Sequence, residues 1–132
     1  MSDPIRIVAA LIRDEAGRVL LVRKRGTSAF MQPGGKRDPG EDDATVLARE
    51  LDEELGCRVL PDSIVPLGVF DCIAANEPGR QVNAAVYSVD VTGAIVPRAE
   101  IEEIAWIDPT RAHELTLAPL TRDHVLPLAR VM

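Results

Sequence analysis

The sequence predicts a layered α/β domain, and three observations carry that prediction. Short segments rich in β-branched and aliphatic residues recur along the chain and are separated by turn-forming residues, as strands are. One central segment and the C-terminal segment instead place apolar residues at helical spacing. A chain of 132 residues with 46% hydrophobic content can bury a core, so we expect one domain over residues 1–132.

The first elements are predicted to form a β-hairpin. Residues 5–13 and 18–23 have strand-like composition, and residues 14–17, Asp-Glu-Ala-Gly, are typical of a turn. Residues 26–40 are mostly glycine, proline and polar residues and are predicted to form a loop. The chain therefore enters its central helix from an irregular, glycine-rich segment.

The central helix is predicted from about Asp43 to Leu55. Asp42 and Asp43 at its start can cap free N–H groups and suit the helix dipole, and Gly56 supplies a stop. The helix is expected to pack on the core along one stripe of apolar residues, which comprises Ala44, Leu47, Ala48, Leu51 and Leu55.

The second half of the chain is predicted to contain three more strands and a helix. Residues 65–73 and 82–91 have strand composition and are separated by a turn at 76–80, and a shorter strand follows at 104–107. Pro127 is expected to kink or shorten the last helix. That helix is predicted from apolar residues at roughly helical spacing, namely Leu117, Leu120, Val125 and Leu128.

Three glutamates, Glu50, Glu53 and Glu54, share one arc of the predicted central helix. Glu50 and Glu54 are four residues apart, a spacing at which like charges destabilise a helix, and the last turn disfavours anions. When residues that are unfavourable for a helix cluster in one place, the place is usually a functional site. Hard divalent cations such as Mg²⁺ prefer oxygen ligands and bridge carboxylates to substrate phosphates, so the arc predicts a cation site.

The loop before the helix has the composition of a ligand-binding loop. Gly34 and Gly35 let backbone groups approach a ligand or a metal closely, and Pro33 stiffens the entry, although an ordinary tight turn is the alternative. Neighbouring strand residues point to opposite faces, and we expect Arg23 rather than Lys24 to reach a phosphate.

Phe30 lies in the same loop and is the one aromatic residue that we expect as a candidate contact for a base. The other aromatic residues are expected in the core. Phe30 is therefore included among the predicted substrate-binding residues.

The stretch from Gly35 to Cys57, GKRDPGEDDATVLARELDEELGC, resembles the Nudix box, Gly-x5-Glu-x7-Arg-Glu-U-x-Glu-Glu-x-Gly-U, in which U is a bulky aliphatic residue. Cys57 departs from the pattern at the last position, where a small apolar thiol can still pack. The chain looks like a small MutT-like Nudix hydrolase, which sharpens the expected fold to a mixed β-sheet sandwiched between helices. The matching residues are Gly35, Glu41, Arg49, Glu50, Leu51, Glu53, Glu54 and Gly56.

The resemblance implies roles for individual residues. Glu50, Glu53 and Glu54 would be metal ligands, with Glu50 also a candidate general base. Gly35 would give a backbone carbonyl to the metal. Arg49 would orient the carboxylates, while a surface ion pair with Glu53 is the alternative.

Further glutamates are implied at the edge of the site. Glu41 would assist there in holding the substrate. Many members of the family supply one more glutamate from a loop before the final strand, and Glu100, six residues before Trp106, occupies that stretch. Glu103 is the rival candidate, and a plain acidic loop is the alternative to both.

Composition limits the partners and the compartment. A formal net charge of −6 argues against a nucleic-acid polymer or a membrane surface as partner. The two cysteines, Cys57 and Cys72, lie in apolar contexts that do not indicate a disulfide framework. The N-terminal residues do not resemble an export signal, so the expected location is the cytoplasm.

These features predict a pyrophosphohydrolase that uses Mg²⁺, or Mn²⁺ in its place, on a nucleoside diphosphate linked to another moiety. A normal or oxidised nucleoside triphosphate would give a nucleoside monophosphate and pyrophosphate. Residues 72–75 lack the proline or tyrosine of some Nudix subgroups, which favours a nucleotide. The alternatives are a nucleotide-sugar or other sugar-diphosphate hydrolase and a non-catalytic Nudix-like regulator. The expected partner is a small molecule, with a homodimer left open.

Overall fold

A computed structural model describes residues 3–132. Two α-helices, α1 (Asp43–Leu55) and α2 (Leu126–Arg130), lie among the strands, with short turns of other helical types at Pro61–Ser63, Ala112–Glu114 and Thr121–Val125. The strands are β1 (Ile5–Leu11), β2 (Val19–Lys24), β3 (Gly34–Lys36), β4 (Arg58–Val59), β5 (Val65–Ile73), β6 (Gln81–Ser88), β7 (Val91–Thr92) and β8 (Ile101–Ile107).

The main sheet has four strands in the order β3-β1-β6-β5. Strands β1 and β6 are parallel, while β3 pairs with β1 and β5 pairs with β6 in antiparallel fashion. Two antiparallel pairs, β2 with β8 and β4 with β7, complete the strands. The predicted mixed sheet is therefore confirmed.

The predicted hairpin of the first two strands forms only next to its turn, where Arg13 and Val19 make an isolated antiparallel bridge. The Asp14 amide donates to the Arg18 carbonyl at 3.0 Å, and the Leu20 amide donates to the Ile12 carbonyl at 2.9 Å. Beyond this turn β1 pairs with β3 and β6, whereas β2 pairs with β8. Strand β1 is mostly apolar on both faces, as is typical of a strand inside a sheet. It therefore lies between two neighbours, β3 on one side and β6 on the other.

The main sheet lies between two apolar clusters, because alternate residues of β1 point to opposite faces. Val8 and Ala10 face a cluster that includes Leu47, Leu51 and Leu55 of α1. On the other face, Ala9 and Leu11 join a cluster that also holds Val125, Leu126 and Ala129 from the C-terminal segment. Helical segments thus cover both faces, as the predicted sandwich requires.

The C-terminal helical segment is irregular before Pro127. Thr121–Val125 form a wide turn in which the Leu126 amide donates to the Thr121 carbonyl, five residues back. Pro127 lies in the first turn of α2, where its missing N–H is tolerated. The regular helix is five residues long, which agrees with the predicted shortening.

The remaining strands differ from prediction mainly at their ends. Strand β5 has the predicted bounds, while β8 begins earlier, at Ile101. The strand predicted over 82–91 divides into β6 and β7. Within residues 3–132, no helix is long and apolar enough to cross a membrane.

Candidate active site

A cavity of about 390 Å³ opens beside the main sheet, between the glycine loop, α1 and the C-terminal segment. Its carboxylate wall consists of Lys24, Gly34, Gly35, Glu50, Glu54 and Glu100. Its aliphatic wall consists of Ile5, Ile7, Ala9, Cys72, Val82 and Leu120. One wall offers charges and backbone groups, and the other offers apolar surface.

Helix α1 is fixed at both ends, which sets the direction of its glutamates. The Asp42 side chain accepts a hydrogen bond from the Thr45 amide at 2.8 Å, as an N-cap does. Gly56 has a φ of 69°, and its amide donates to the Asp52 carbonyl, so the helix ends in a left-handed cap. With Leu47, Leu51 and Leu55 packed on the core, Glu50 and Glu54 both line the cavity.

Glu54 is the most buried charged residue of the carboxylate wall, with 3% of its surface exposed. Its Oε1 accepts a hydrogen bond from the Gly34 amide at 3.2 Å. Burial raises the pKa of Glu54 to about 8, and the nearby Glu50 carboxylate adds to the rise. Burial also raises the pKa of Glu50, although Arg49 opposes that shift.

The two glycines of the loop are required by close contacts. Gly34 has a φ of 146°, and a Cβ there would lie 2.1 Å from the Val8 carbonyl oxygen. A Cβ on Gly35 would lie 2.5 Å from the Glu50 carboxyl carbon. Side chains at these positions would push the loop away from β1 and from Glu50, so the glycines keep the backbone against the carboxylates.

Arg49 links two glutamates of the box. It donates from Nε and Nη2 to both Glu41 oxygens at 2.8 and 2.7 Å, and from Nη1 to Glu50 at 2.8 Å. The Arg49 guanidinium and the Asp38 amide lower the pKa of Glu41 to about 2. Glu41 does not line the cavity. It holds Arg49, and Arg49 in turn holds Glu50, so the structure gives Glu41 a positioning contact instead of the predicted substrate contact.

Glu53 stands apart from the other two predicted metal ligands. Its side chain is 55% exposed, lies 3.9 Å from Arg49 Nη1 and does not line the cavity. Across residues 3–132, no three His, Cys, Asp or Glu side chains gather closely enough to form a metal site. Glu54, which is buried, and Glu50, which is partly buried, nevertheless provide two carboxylates beside an open glycine backbone, a donor set that fits a hard divalent cation.

The structure places Lys24, and not the predicted Arg23, at the cavity. Arg23 donates from Nε to Glu103 at 2.8 Å and from Nη1 to the Thr27 carbonyl at 2.7 Å. Lys24 lines the cavity, and its Nζ lies 3.4 Å from Glu100 Oε1. The two neighbours do point to opposite faces, but Lys24 shares the face of Leu20 and Val22, which pack towards α1.

Glu100 and Glu103 point to opposite faces of the β2–β8 pair, as Lys24 and Arg23 do. Glu100 lines the cavity with 60% of its side chain exposed, while Glu103 pairs with Arg23 on the opposite face. The pairing of β2 with β8 shifts register between Arg23 and Lys24. This irregularity brings the start of β8 to the cavity edge and leaves Glu100 next to Lys24.

Phe30 does not contact the cavity. It is 8% exposed and belongs to the apolar cluster on the C-terminal side of the main sheet. Its amide donates to the Thr116 carbonyl, and its carbonyl accepts from the Ala118 amide, so the backbone is tied to the C-terminal segment. The prediction that Phe30 contacts the substrate is not supported by this placement.

Gln32 and Thr121 line the cavity and were not among the predicted site residues. Thr121 is fully buried, and its hydroxyl donates to Gln32 Oε1 at 2.5 Å. The sequence does indicate Gln32, because it directly precedes Pro33 and the two glycines, and a residue next to a ligand-binding loop is close to the ligand. Nothing in the sequence indicated Thr121, because its contact with Gln32 spans 89 positions.

Comparison with known proteins agrees with this geometry. The family model described as NUDIX domain matches residues 3–129, and the chain therefore belongs to the Nudix family. A solved Nudix hydrolase from Nitrosomonas europaea superposes with a TM-score of 0.77 at 27% identity, covering 98% of this chain and 89% of that one. Nudix hydrolases generally use divalent metal ions, and the family match supports a hydrolase acting on phosphoanhydride bonds.

Curated relatives add names. An uncharacterized Nudix hydrolase of Streptomyces coelicolor is 36% identical over 76% of this chain and 56% of its own length, so the chain spans about half of that relative. A Mycobacterium tuberculosis protein, provisionally named 8-oxo-dGTP diphosphatase 2, is 30% identical over 100% of this chain and 92% of its own. The CTP pyrophosphohydrolase of Escherichia coli is 28% identical over 87% and 84%.

Proposed function

We propose that this protein is a Mg²⁺-dependent pyrophosphohydrolase that converts a nucleoside triphosphate, normal or oxidised, into a nucleoside monophosphate and pyrophosphate. One observation carries the proposal. Glu50 and Glu54 are brought together at a cavity beside Gly34 and Gly35. Carboxylates next to a glycine backbone are suited to a cation that binds phosphate oxygens.

Glu50 and Glu54 would hold the cation, with Gly35 and, after rotation of its side chain, Glu53 as further donors. A bound Mg²⁺ would neutralise charge on the phosphates and lower the pKa of an attacking water. Mn²⁺ is expected to substitute, because it accepts the same oxygen ligands.

The protein's own groups would bind and orient the substrate. Lys24 lies on the carboxylate wall and provides a cation for a phosphate oxygen, in a protein whose formal net charge is −6. Arg49, fixed by Glu41, keeps Glu50 in place. Glu100 and Glu50 are the candidates for the group that takes a proton from water, because both reach the cavity.

The aliphatic wall favours a nucleobase over a sugar as the group that binds against it. Ile5, Ile7, Val82 and Leu120 offer apolar contacts to a planar base, whereas a sugar would leave several hydroxyls without partners on such a wall. Relatives named for 8-oxo-dGTP and CTP support the same choice. A cytoplasmic location and a small-molecule partner follow from this proposal.

A substrate panel with Mg²⁺ tests the proposal. Nucleoside triphosphates, nucleotide sugars and dinucleotides would be assayed for nucleoside monophosphate, pyrophosphate and orthophosphate. Monophosphate and pyrophosphate in equal amounts, lost on chelation, are expected from triphosphates. Turnover of nucleotide sugars alone would favour the sugar-diphosphate alternative, and binding without turnover would favour a regulator.

A further inference from the structure

Asp43, the first residue of α1, is held by two side chains from outside the helix. The Tyr87 hydroxyl on β6 donates to its Oδ2, and Arg37 in the preceding loop donates from Nε to its Oδ1 at 2.7 Å. The Arg37 and Asp43 side chains are 32% and 24% exposed, so solvent screens their ion pair only in part. A carboxylate in the first turn suits the helix dipole without either donor. The two contacts therefore call for a separate explanation.

Asp43 lies on the same side of α1 as the two glutamates that line the cavity. At 3.6 residues per turn, Glu50 follows Asp43 by about two turns and Glu54 follows it by about three. Arg49 holds Glu50, and the Gly34 amide holds Glu54. Holding Asp43 at the start of the same row fixes the rotation of α1 about its axis, and this rotation sets the direction of both glutamates.

One row of the main sheet anchors both ends of the segment 33–43. Ala10 of β1 and Tyr87 of β6 are directly paired. The Ala10 amide donates to the Pro33 carbonyl at 2.9 Å where the segment begins, and the Tyr87 hydroxyl donates to Asp43 where it ends. Gly35 lies between the two anchors, so they limit where its backbone can lie.

Two arginines also hold the backbone just after Gly35. Arg49 donates from Nη2 to the Lys36 carbonyl at 3.1 Å, and the next residue, Arg37, is joined to Asp43. Arg37, Asp43 and Tyr87 are not among the described residues that line the cavity. Any effect of these three residues on a ligand must therefore pass through Gly35 and α1.

We propose that Arg37, Asp43 and Tyr87 are positioning residues that keep Gly35 and Glu50 at the spacing that a divalent cation requires. This inference rests on the proposed function, which places the cation beside these two residues. Groups that orient metal ligands without touching the metal typically contribute about ten- to a hundredfold to metal affinity. The cluster is expected to act on the affinity for the cation and not on the choice of nucleotide.

The test measures Mn²⁺ binding to the folded protein without nucleotide. Tyr87→Phe removes only the hydroxyl, and Arg37→Met removes the guanidinium. Arg18→Met is the matched control, because Arg18 pairs with Asp14 at the same 2.7 Å in a turn outside the cavity. We expect both single variants to raise the Kd for Mn²⁺ and the double variant to raise it about tenfold. Arg37→Lys, which keeps a cation, should raise it less than Arg37→Met, and Arg18→Met should leave it unchanged.

Turnover at different Mn²⁺ concentrations separates positioning of the cation from support of the fold. The double variant should lose activity at limiting Mn²⁺ and recover most of it at saturating Mn²⁺. An unchanged Kd for Mn²⁺ in the double variant, with or without a lower Tm, would overturn the proposal, because the cluster would then at most support the fold. An equal rise in Kd for Arg18→Met would also overturn it, because the effect would not depend on this cluster.

The proposed function and this inference fail differently. If the wild-type protein binds Mn²⁺ and releases pyrophosphate but the double variant binds Mn²⁺ equally well, only the inference is wrong. If the wild-type protein binds Mn²⁺ but hydrolyses no nucleoside triphosphate, the proposed function is wrong, and the binding data still decide the positioning role. If the wild-type protein binds no divalent cation, both are wrong.

Discussion

The two walls of the cavity are built in opposite ways. The carboxylate wall comes mostly from one segment, residues 34–54, and its groups are tied to each other through Arg49, Glu41 and the Gly34 amide. The aliphatic wall is assembled from β1, β5, β6 and the C-terminal segment. A contiguous wall suits the reaction, and a dispersed wall suits the choice of substrate.

The difference follows from what each task requires. Holding a cation requires several donors at short, fixed distances, which a single capped helix and its preceding loop can provide. Recognising a base requires shape and one or two polar groups, and strands far apart in sequence can provide these. Changes to the carboxylate wall should therefore affect every substrate, while changes to the aliphatic wall should alter preference.

The largest expected effect is on turnover. Glu54→Gln should keep the fold and lower kcat by at least about a hundredfold, or roughly 2.7 kcal/mol of barrier, because it removes a charged oxygen donor from the site. Asp52→Asn, an exposed neighbour on the same helix, is the matched control. Steady-state kinetics at saturating Mg²⁺ measure both, and near-normal turnover by Glu54→Gln would refute the metal assignment.

Glu53→Gln tests whether the carboxylate wall is complete without rearrangement. The box resemblance predicts the same hundredfold loss, yet the Glu53 side chain lies outside the cavity. The predicted loss requires Glu53 to turn towards the cation when the site is loaded. Kinetics near those of Asp52→Asn would show that Glu50 and Glu54 suffice.

The next effect concerns substrate charge. Lys24→Ala should lower kcat/KM about ten- to a hundredfold for every nucleotide, as expected for one charge-assisted contact of roughly 1.5–3 kcal/mol. Arg23→Ala should leave KM nearly unchanged and lower the Tm instead, because it loses the contacts with Glu103 and Thr27. A large rise in KM for Arg23→Ala, with none for Lys24→Ala, would contradict the placement of the two residues.

A smaller effect is expected on stability. A cation that binds the folded protein stabilises it by mass action, so millimolar Mg²⁺ or Mn²⁺ should raise the Tm, and more so with nucleotide present. Scanning calorimetry of the wild-type protein and Glu54→Gln would measure this. Equal shifts in the two proteins would place the cation elsewhere.

Stability should also depend on pH in the absence of metal. The folded-state pKa of Glu54, about 8, lies above its ordinary value of 4.5. Folding therefore favours the neutral form of this carboxyl. Its contribution to the free energy of unfolding is full below about pH 4.5 and is lost as the pH rises from 4.5 towards 8. The Tm of metal-free protein should fall over that window, and Glu54→Gln should flatten the profile. A wild-type profile as flat as that of the variant would disprove the shift.

Local patterns predicted much of the fold and the carboxylate wall. The cap at Asp42 and the stop at Gly56 are short-range features, and the structure has them where the sequence placed them. The predicted apolar stripe of α1 is confirmed at its three leucines only: Ala44 and Ala48 are exposed, and Val46 is buried instead. The pairing of β1 was mispredicted, because its partners β3 and β6 are chosen by burial on both faces and not by the adjacent turn.

Side-chain direction explains the other differences. Alternation showed that Arg23 and Lys24 diverge, but which of them faces α1 depends on the pairing of β2 with β8. Phe30 is drawn into the core by backbone bonds to Thr116 and Ala118. The contact of Gln32 with Thr121 joins two distant segments and could not be found without the fold.

The division of tasks between the two walls can be tested with one ratio, kcat/KM for dGTP over kcat/KM for dATP. We expect Lys24→Ala to lower both terms and leave the ratio unchanged, because it removes a phosphate contact that every nucleotide would make. Leu120→Ala, a change in the aliphatic wall, should change the ratio. If Lys24→Ala changes the ratio as much as Leu120→Ala does, or if neither variant changes it while both lose activity, the two walls do not have separate tasks.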